Sequence, residues 1–492
     1  MVLIIYLVLV SQGSVETNSP RWDSPDILIE ESLGNYVDFA ADYNYSNGNI
    51  YVACIPGSGT YFGPDSMGIL LFRSDDHGET WDMIFRDAYQ AQYWELKEID
   101  LVATRNDTVY VLMSWYHEVP ENDQLNIAKI WGGGGMWNID WLLNPTINAT
   151  EIRSPKLVRD DCDDFYLYIA YLDITPAPEW DSLIILRSTD RGNNWSNFLR
   201  AQSAAEWQDH DITVSDSSIY HLSTFQHFEN QTLQFSYWRD RGIPVDVINL
   251  QEINTNEAGQ IRYPRIGATT TLPDSGQLVY AFFSQENPGG GNDLLYQYSQ
   301  NGGADWDSIP DTLADESYSP VLCDLRGYQA APNQWMDITY CFTSSTPSFE
   351  NFHCWASEEE PANWQGTASV GTGANRSIPE LIYSPGAPGG GGAVVYNDSL
   401  GNLWFDAPWF SGIPENPGNK GNKIRSLIVL PGSSVEVGEA GATIYDVTGR
   451  GILTLNSSSW DLKDGEGKEV EGGIYFIVNQ KNGNIIKLSV IK

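Results

Sequence analysis

The chain has 492 residues, with 65 Asp and Glu against 27 Lys and Arg, and a formal net charge of -38. A surface this acidic repels phosphate backbones and anionic lipid headgroups, which argues against nucleic acid and anionic membranes as partners. Aromatic residues make up 12% of the chain, Gly and Pro number 45 and 25, and short apolar runs lie between turn residues without helical spacing. These features predict an all-β protein.

The run Val2 to Val10 is apolar but far too short to cross a bilayer, and Ser11-Gln12-Gly13 follows it. Residues 1–21 are therefore expected to be a signal peptide or N-terminal tail, although no Lys or Arg precedes the run. No other segment approaches a transmembrane span.

A repeated motif organises the next 390 or so residues. Ser74, Asp76, Gly78 and Trp81 form S-x-D-x-G-x-T-W, Ser188, Asp190, Gly192 and Trp195 form S-x-D-x-G-x-x-W, and Ser299, Asn301, Gly303 and Trp306 form S-x-N-x-G-x-x-W. Each follows an apolar strand. The Asp or Asn can accept amides of a tight turn, Gly supplies a positive φ, and Trp anchors the hairpin. Worn copies at Ile130 to Trp137, Trp238 to Val245 and Ser357 to Trp364 fill the intervals, so the unit is one four-stranded propeller blade. Inner strands are expected to start near Tyr36, Leu96, Lys156, His210, Arg265, Val321 and Pro379. Seven starts predict a seven-bladed β-propeller over residues 22–410, with six blades as the alternative. The last unit lacks a fourth strand, and the orphan strand Asp26 to Glu31 is expected to supply it and close the ring.

The three boxes resemble the bacterial neuraminidase repeat, or Asp-box, superfamily. Its members include sialidases, other glycoside hydrolases, sorting receptors and non-catalytic assembly factors, so the resemblance implies a fold more than an activity.

Residues 411–422 (SGIPENPGNKG and Asn422) read as a linker, and residues 423–492 as a small β-sandwich of short alternating strands. IYDVTGR, Trp460-Asp461, Asp464 with Gly467, GG-IYF and a closing K-x-x-V-I-K follow in order. Together they resemble the type IX secretion sorting domain and its Ig-like relatives in flagellar hook-capping proteins, over Asn416 to Lys492. The resemblance implies export through such a secretion machinery, then release or attachment at the cell surface.

No pair among Cys54, Cys162, Cys323, Cys341 and Cys354 has zinc-type spacing, and no metal site is expected. Cys323, Cys341 and Cys354 fall on three successive expected strands, where either one cross-strand disulfide or buried free thiols would fit. The run Asp160-Asp161-Cys162-Asp163-Asp164 could offer oxygens to Ca²⁺ but lacks the glycine and spacing of a calcium loop.

The resemblance to sialidases implies an arginine triad, a Tyr-Glu pair and an acid/base Asp, with an Arg-Ile-Pro motif. This chain has no Arg-Ile-Pro, and Trp22 to Asn44 holds no arginine. Arg153, Arg262, Arg265 and Arg376 lie near starts of expected inner strands, where three could converge. Asp209-His210-Asp211, after Trp207, is the most suggestive acid/base cluster, expected just ahead of an inner strand and facing the central mouth. Glu380 with Tyr383 is a second such pair. Trp94, Trp115, Trp180, Trp207 and Trp409 are candidates for stacking on sugar rings. The expectation is a secreted or cell-surface propeller that recognises an extracellular glycan or protein, with a secreted glycoside hydrolase and a structural cell-envelope protein as alternatives.

Overall fold

The computed structural model describes residues 26–490, except 239–247, 270–276, 384–391, 408–424 and a number of shorter segments. Residues 1–21, the linker 411–422, Cys162, Arg376 and Trp409 lie outside the described residues. The chain divides into two compact units, one ending at Pro408 and one beginning at Trp409.

The first unit is a propeller of seven antiparallel sheets. Strand β1 (Ile27–Glu30) belongs to the last blade. Blade 1 is β2 (Asp38–Tyr43), β3 (Ile50–Ile55), β4 (Ser66–Ser74) and β5 (Asp82–Gln90). Blade 2 is β6 (Trp94–Ala103), β7 (Thr108–Glu118), β8 (Glu121–Gly133) and β9 (Met136–Trp141), with β10 (Ile147–Ala149) also on β8. Blade 3 is β11 (Glu151–Arg159), β12 (Leu167–Ile174), β13 (Ser182–Ser188) and β14 (Ser196–Gln202). Blade 4 is β15 (Glu206–Ser215), β16 (Ser218–His227), β17 (Asn230–Trp238) and β18 (Ile248–Asn256). Blade 5 is β19 (Ile261–Ala268), β20 (Val279–Glu286), β21 (Asn292–Ser299) and β22 (Asp311–Ser317). Blade 6 is β23 (Leu322–Ala330), β24 (Asn333–Thr343), β25 (Phe349–Ser357) and β26 (Gln365–Ala374). Blade 7 is β27 (Glu380–Tyr383), β28 (Gly392–Asn397) and β29 (Leu403–Asp406). Its fourth strand is β1, antiparallel to β29 with Ile27 opposite Phe405 and Leu28 opposite Trp404. The orphan strand thus completes the last sheet, and the six-blade alternative is set aside.

The middle strands read as continuous apolar runs because both faces of each blade are covered by neighbours. Core clusters lie between blades: Tyr51, Ala53 and Leu71 meet Leu101, Val111 and Met113 between blades 1 and 2, and Tyr220, Leu222 and Phe235 meet Ile266, Val279 and Phe283 between blades 4 and 5.

The S-x-D/N-x-G turns join the two outermost strands of blades 1, 3 and 5. In the first, Ser74 Oγ accepts from Gly78 N at 2.7 Å and donates to Asp76 Oδ1 at 2.8 Å, while Asp76 Oδ1 accepts from Thr80 N at 2.8 Å. Ser188, Asp190 and Gly192, and Ser299, Asn301 and Gly303, repeat this pattern. Trp81 packs edge-on against Phe405 of blade 7, and Trp306 against Phe235 of blade 4. Each inner strand opens its blade, so all inner strands run the same way. The connections into them share one end, the loop face. The inner hairpin turns share the other end with the S-x-D/N-x-G turns: Tyr110, at the start of β7, donates to Arg191 O at 2.7 Å. At that end Asp107 Oδ1 accepts from Asn44, Asn47, Asn49 and Tyr51, joining blades 1 and 2.

Cys54, Cys323, Cys341 and Cys354 are buried free thiols. The disulfide possibility fails on register: Cys323 lies opposite Tyr340, Cys341 opposite Leu322, and Cys354 opposite Ile338.

The second unit holds β30 (Arg425–Val429), β31 (Val435–Glu436), β32 (Ala442–Asp446), β33 (Gly451–Leu455), β34 (Ser459–Trp460), β35 (Gly473–Asn479) and β36 (Ile485–Val490). Its main sheet runs β30-β36-β35-β32-β33, with β30 parallel to β36, and β31 pairs with β34. Trp460 is the centre of its core, against Tyr475 at 5.7 Å, with Nε1 donating to Lys463 O at 2.7 Å.

Gly78 has φ +94°, and a Cβ there would stand 2.1 Å from the Phe405 ring. Gly78→Ala is expected to destabilise the propeller by about 3 kcal/mol. Gly290 has φ +83° but open space around it, so Gly290→Ala should cost only about 1 kcal/mol. Thermal unfolding of the two variants side by side checks this difference.

Candidate functional site

The inner strands line an axial channel, and their two-residue alternation turns every second side chain towards it. Within a blade the backbone ladder satisfies the amides. Between blades no ladder exists, and side chains take its place. Asp100 Oδ2 accepts from Leu157 N at 2.6 Å, Asp211 Oδ2 from Ile266 N at 2.9 Å, and Asp324 Oδ2 from Leu381 N at 2.8 Å. Each carboxylate grips the amide that follows the equivalent position of the next blade. That register makes Asp100, Lys156, Asp211, Arg265, Asp324 and Glu380 one ring. In blade 1 the same rule places Ala40 in the ring, because Asp38 and Asp42 on either side of it grip Ile99 N and Ala103 N, both at 2.9 Å. The ring therefore alternates in sign from blade 2 to blade 6, and then carries Glu380 and Ala40.

Such charge-assisted bonds contribute about 1.5–3 kcal/mol each. The cations between them offset the burial of like charges. Burial raises the Asp100 and Asp211 carboxyls, and Lys156 and Arg265 restrain the rise. Burial and Arg265 oppose the charge on Lys156, but Asp211, Asp100 and Glu380 outweigh them and hold its pKa above the usual lysine value. Burial, together with Asp324, pushes Glu380 well above the carboxylate range.

Towards the loop face from this ring lie Asp38 and Glu98. Burial pushes Asp38 up to about 7 and Glu98 up to about 8, and each carboxyl is also raised by a neighbouring acid. Glu98 is aimed by a bulge at Leu96/Glu98, and β11, β15 and β19 carry bulges at Arg153/Lys156, Trp207/Asp209 and Arg262/Arg265. Ser154 and Tyr263, inside two of these bulges, adopt positive φ of 49° and 52°. Ser154 Oγ donates to Asp209 Oδ1 at 2.6 Å, linking blades 3 and 4.

The channel encloses a cavity of about 100 Å³, lined by Asp42, Asp100, Lys156, Arg159, Asp211, Arg265, Asp324, Arg326 and Glu380 among others. By the same measure one water needs roughly 10–15 Å³, so the space holds several. No group of three His, Cys, Asp or Glu able to hold a metal occurs among the described residues.

Asp209, His210 and Asp211 lie inside β15 rather than ahead of it. Asp211 faces the cavity, whereas His210 is turned between strands and packs on His221 at 5.4 Å. Burial drives both imidazoles to the neutral form, His221 to about 3 and His210 well below its ordinary value. Arg265 is buried in the ring, Arg153 Nε is held by Glu151 Oε1 at 2.6 Å, and Arg262 is exposed beside Gln260. Of the stacking candidates, Trp115 and Trp207 are buried, and Trp207 lies against Phe225 with centroids 4.0 Å apart. Trp94 opens β6. Trp180 is 56% exposed, just before β13 on the loop face. Tyr318, 72% exposed on the same face, was not among the sequence candidates, nor were Asp38, Glu98, Asp100, Lys156 and Asp324. For the ring residues the signal was a charged residue followed by Leu or Ile on the inner strands of blades 2 to 7, as in Asp100-Leu101, Lys156-Leu157 and Asp324-Leu325.

No protein-family model and no curated protein matches the chain. Among solved structures it is similar to an ulvan lyase of polysaccharide lyase family PL25, at 9% identity and TM-score 0.49, over 77% of this chain and 95% of that one. A Hadza microbial sialidase aligns at 14% identity and TM-score 0.41, over 65% and 66% of the two chains. An α-L-arabinanase of Penicillium chrysogenum aligns at 11% identity and TM-score 0.40, over 78% and 97%.

Asp211→Ala strands the Ile266 amide and removes the carboxylate that acts most strongly on Arg265, so a loss of about 3–5 kcal/mol is expected in thermal or denaturant unfolding. The raised carboxyls also set a pH dependence. Asp38 and Glu98 bind protons more tightly folded than unfolded, so their stabilising contribution is complete below about pH 4 and is lost as pH rises through 7 to 8. The neutral histidines act only below about pH 6.5, where the unfolded chain takes up their protons. Melting temperature should therefore fall from pH 6.5 to 9, and Glu98→Gln should flatten that slope.

Proposed function

We propose that the propeller recognises an extracellular glycan at its loop face, around the mouth of the axial channel. The observation that carries this reading is the exposure of Trp180 and Tyr318 on the loop face, the face on which Asp38 and Glu98 stand ahead of the charge ring. Aromatic faces stack on the C–H faces of sugar rings while polar groups hold hydroxyls, and ligand sites combine apolar area with a few convergent polar groups. The arginines do not support a sialic-acid clamp: Arg153 is engaged by Glu151, and Arg265 is built into the ring. In this reading residues 423–492 are an Ig-like sorting module that directs export and surface attachment. The propeller is then the working part.

A glycan array probed with the full chain tests recognition. Binding to at least one polysaccharide is expected, weakened at least tenfold by Trp180→Ala or Tyr318→Ala without change in melting temperature. A silent array, with binding instead to an envelope protein, would move the assignment to a structural role.

A second reading, hydrolysis of the bound glycan, is favoured by Asp38 and Glu98. Ile99 N holds the Asp38 carboxylate one residue from Glu98, and both carboxyls titrate near neutrality, where an acid/base pair works best. Release of reducing ends from the array-positive glycan, reduced at least 100-fold in Glu98→Gln with binding retained, is the outcome this reading requires.

A further inference from the structure

Most polar groups lining the axial cavity are engaged by the fold itself. Asp42 holds Ala103 N and lies 3.5 Å from Arg159; Asp100, Asp211 and Asp324 hold amides of the next blade. Arg159 also donates to Tyr43 O, Arg265 to Pro264 O and Arg326 to Leu381 O. Three side chains are left over, one of them the small Thr213 hydroxyl. The Lys156 ammonium and the Glu380 carboxyl line the cavity, yet neither has a hydrogen bond or ion pair within 4 Å among the described residues.

The charges around these two groups nearly cancel. The lining carries Asp42, Asp100, Asp211, Asp324 and Glu380 against Lys156, Arg159, Arg265 and Arg326, and burial favours the neutral form of Glu380. An added anion would meet the carboxylates and an added cation the arginines, each desolvated with no net charge to compensate it. A neutral, oxygen-rich ligand meets neither cost. Its oxygens accept from the ammonium, and a protonated carboxyl both donates and accepts. The space is that of one ring, not of several.

On the reading that the propeller binds a glycan, we infer that the axial cavity takes a single neutral sugar residue, held by Lys156 and Glu380, and rejects acidic and amino sugars. The site therefore reads a sugar unit by its hydroxyls and by its lack of charge.

Isothermal titration of the full chain tests this with D-galactose, L-arabinose, L-rhamnose and N-acetylglucosamine as neutral probes. N-acetylneuraminate, D-galacturonate and D-glucosamine are the charged ones. At least one neutral sugar should bind at millimolar affinity or better, and every charged sugar at least tenfold more weakly. Lys156→Met should weaken the neutral sugar at least tenfold, and Glu380→Gln less than threefold. Should Lys156→Met not fold, Thr213→Met, which narrows the cavity from an uncharged position, should abolish the same binding. A charged sugar bound more tightly than every neutral one overturns the inference, as does unchanged binding in both Lys156→Met and Thr213→Met. Silence of all the monosaccharides on a chain that binds the glycan array overturns it while leaving loop-face recognition intact. Monosaccharide binding with a silent array does the reverse.

Discussion

A carboxylate on one inner strand that accepts an amide of the next is the contact on which this propeller depends. Radially arranged sheets present their inner strands side by side without a shared ladder, so amides facing the neighbouring blade need another acceptor. Asp38, Asp42, Asp100, Asp211 and Asp324 supply it. Collecting so many anions about one axis would be unfavourable, and Lys156, Arg265 and Arg326 lie among them as counter-charges. The polar lumen is thus a product of how the blades are joined. A polar cavity comes with the same construction.

The apolar part of the fold is distributed accordingly. Among the described residues the apolar core is divided into layers, one in each space from blade 1 to blade 6, with Tyr and Phe in most of them. Where blade 7 meets the first blade, Trp81 and Phe405 of β29 do the same work from the turn side. The outer turns therefore serve two purposes: they reverse the chain, and they carry an aromatic anchor into the adjoining layer.

The blade architecture was legible because local physics marks it. Ser, Asp or Asn, and Gly at fixed offsets before Trp encode a turn whose hydrogen bonds are nearly all internal, so the pattern survives without tertiary context. The stray strand at Asp26 to Glu31 could be assigned because one blade was short by one strand. The channel was harder to read. Asp209, His210 and Asp211 read as an acid/base cluster just ahead of an inner strand because three such residues in a row are rare in strands, yet β15 accommodates them by turning Asp211 to the axis and burying the histidine. Trp207 looked available and is packed against Phe225. Lys156 was visible only as a strand start, because its importance comes from what four other blades place around it. Contacts between residues about 55 apart, repeated around a ring, leave only a weak trace in any one segment.

The partnership of β1 with β29 joins Ile27 to Phe405, nearly the whole length of the first unit. The entropic cost of closing so long a loop grows only with the logarithm of its length, so the joint is thermodynamically affordable. Its consequence is temporal. During synthesis the first strand of this unit emerges well before its partner, with the other six blades between them. Until then blade 7 lacks both its edge and its template, and the first and last blades have no common boundary. The ring is complete only after the chain has passed residue 406, which makes closure a late, all-or-none checkpoint on the length of the chain.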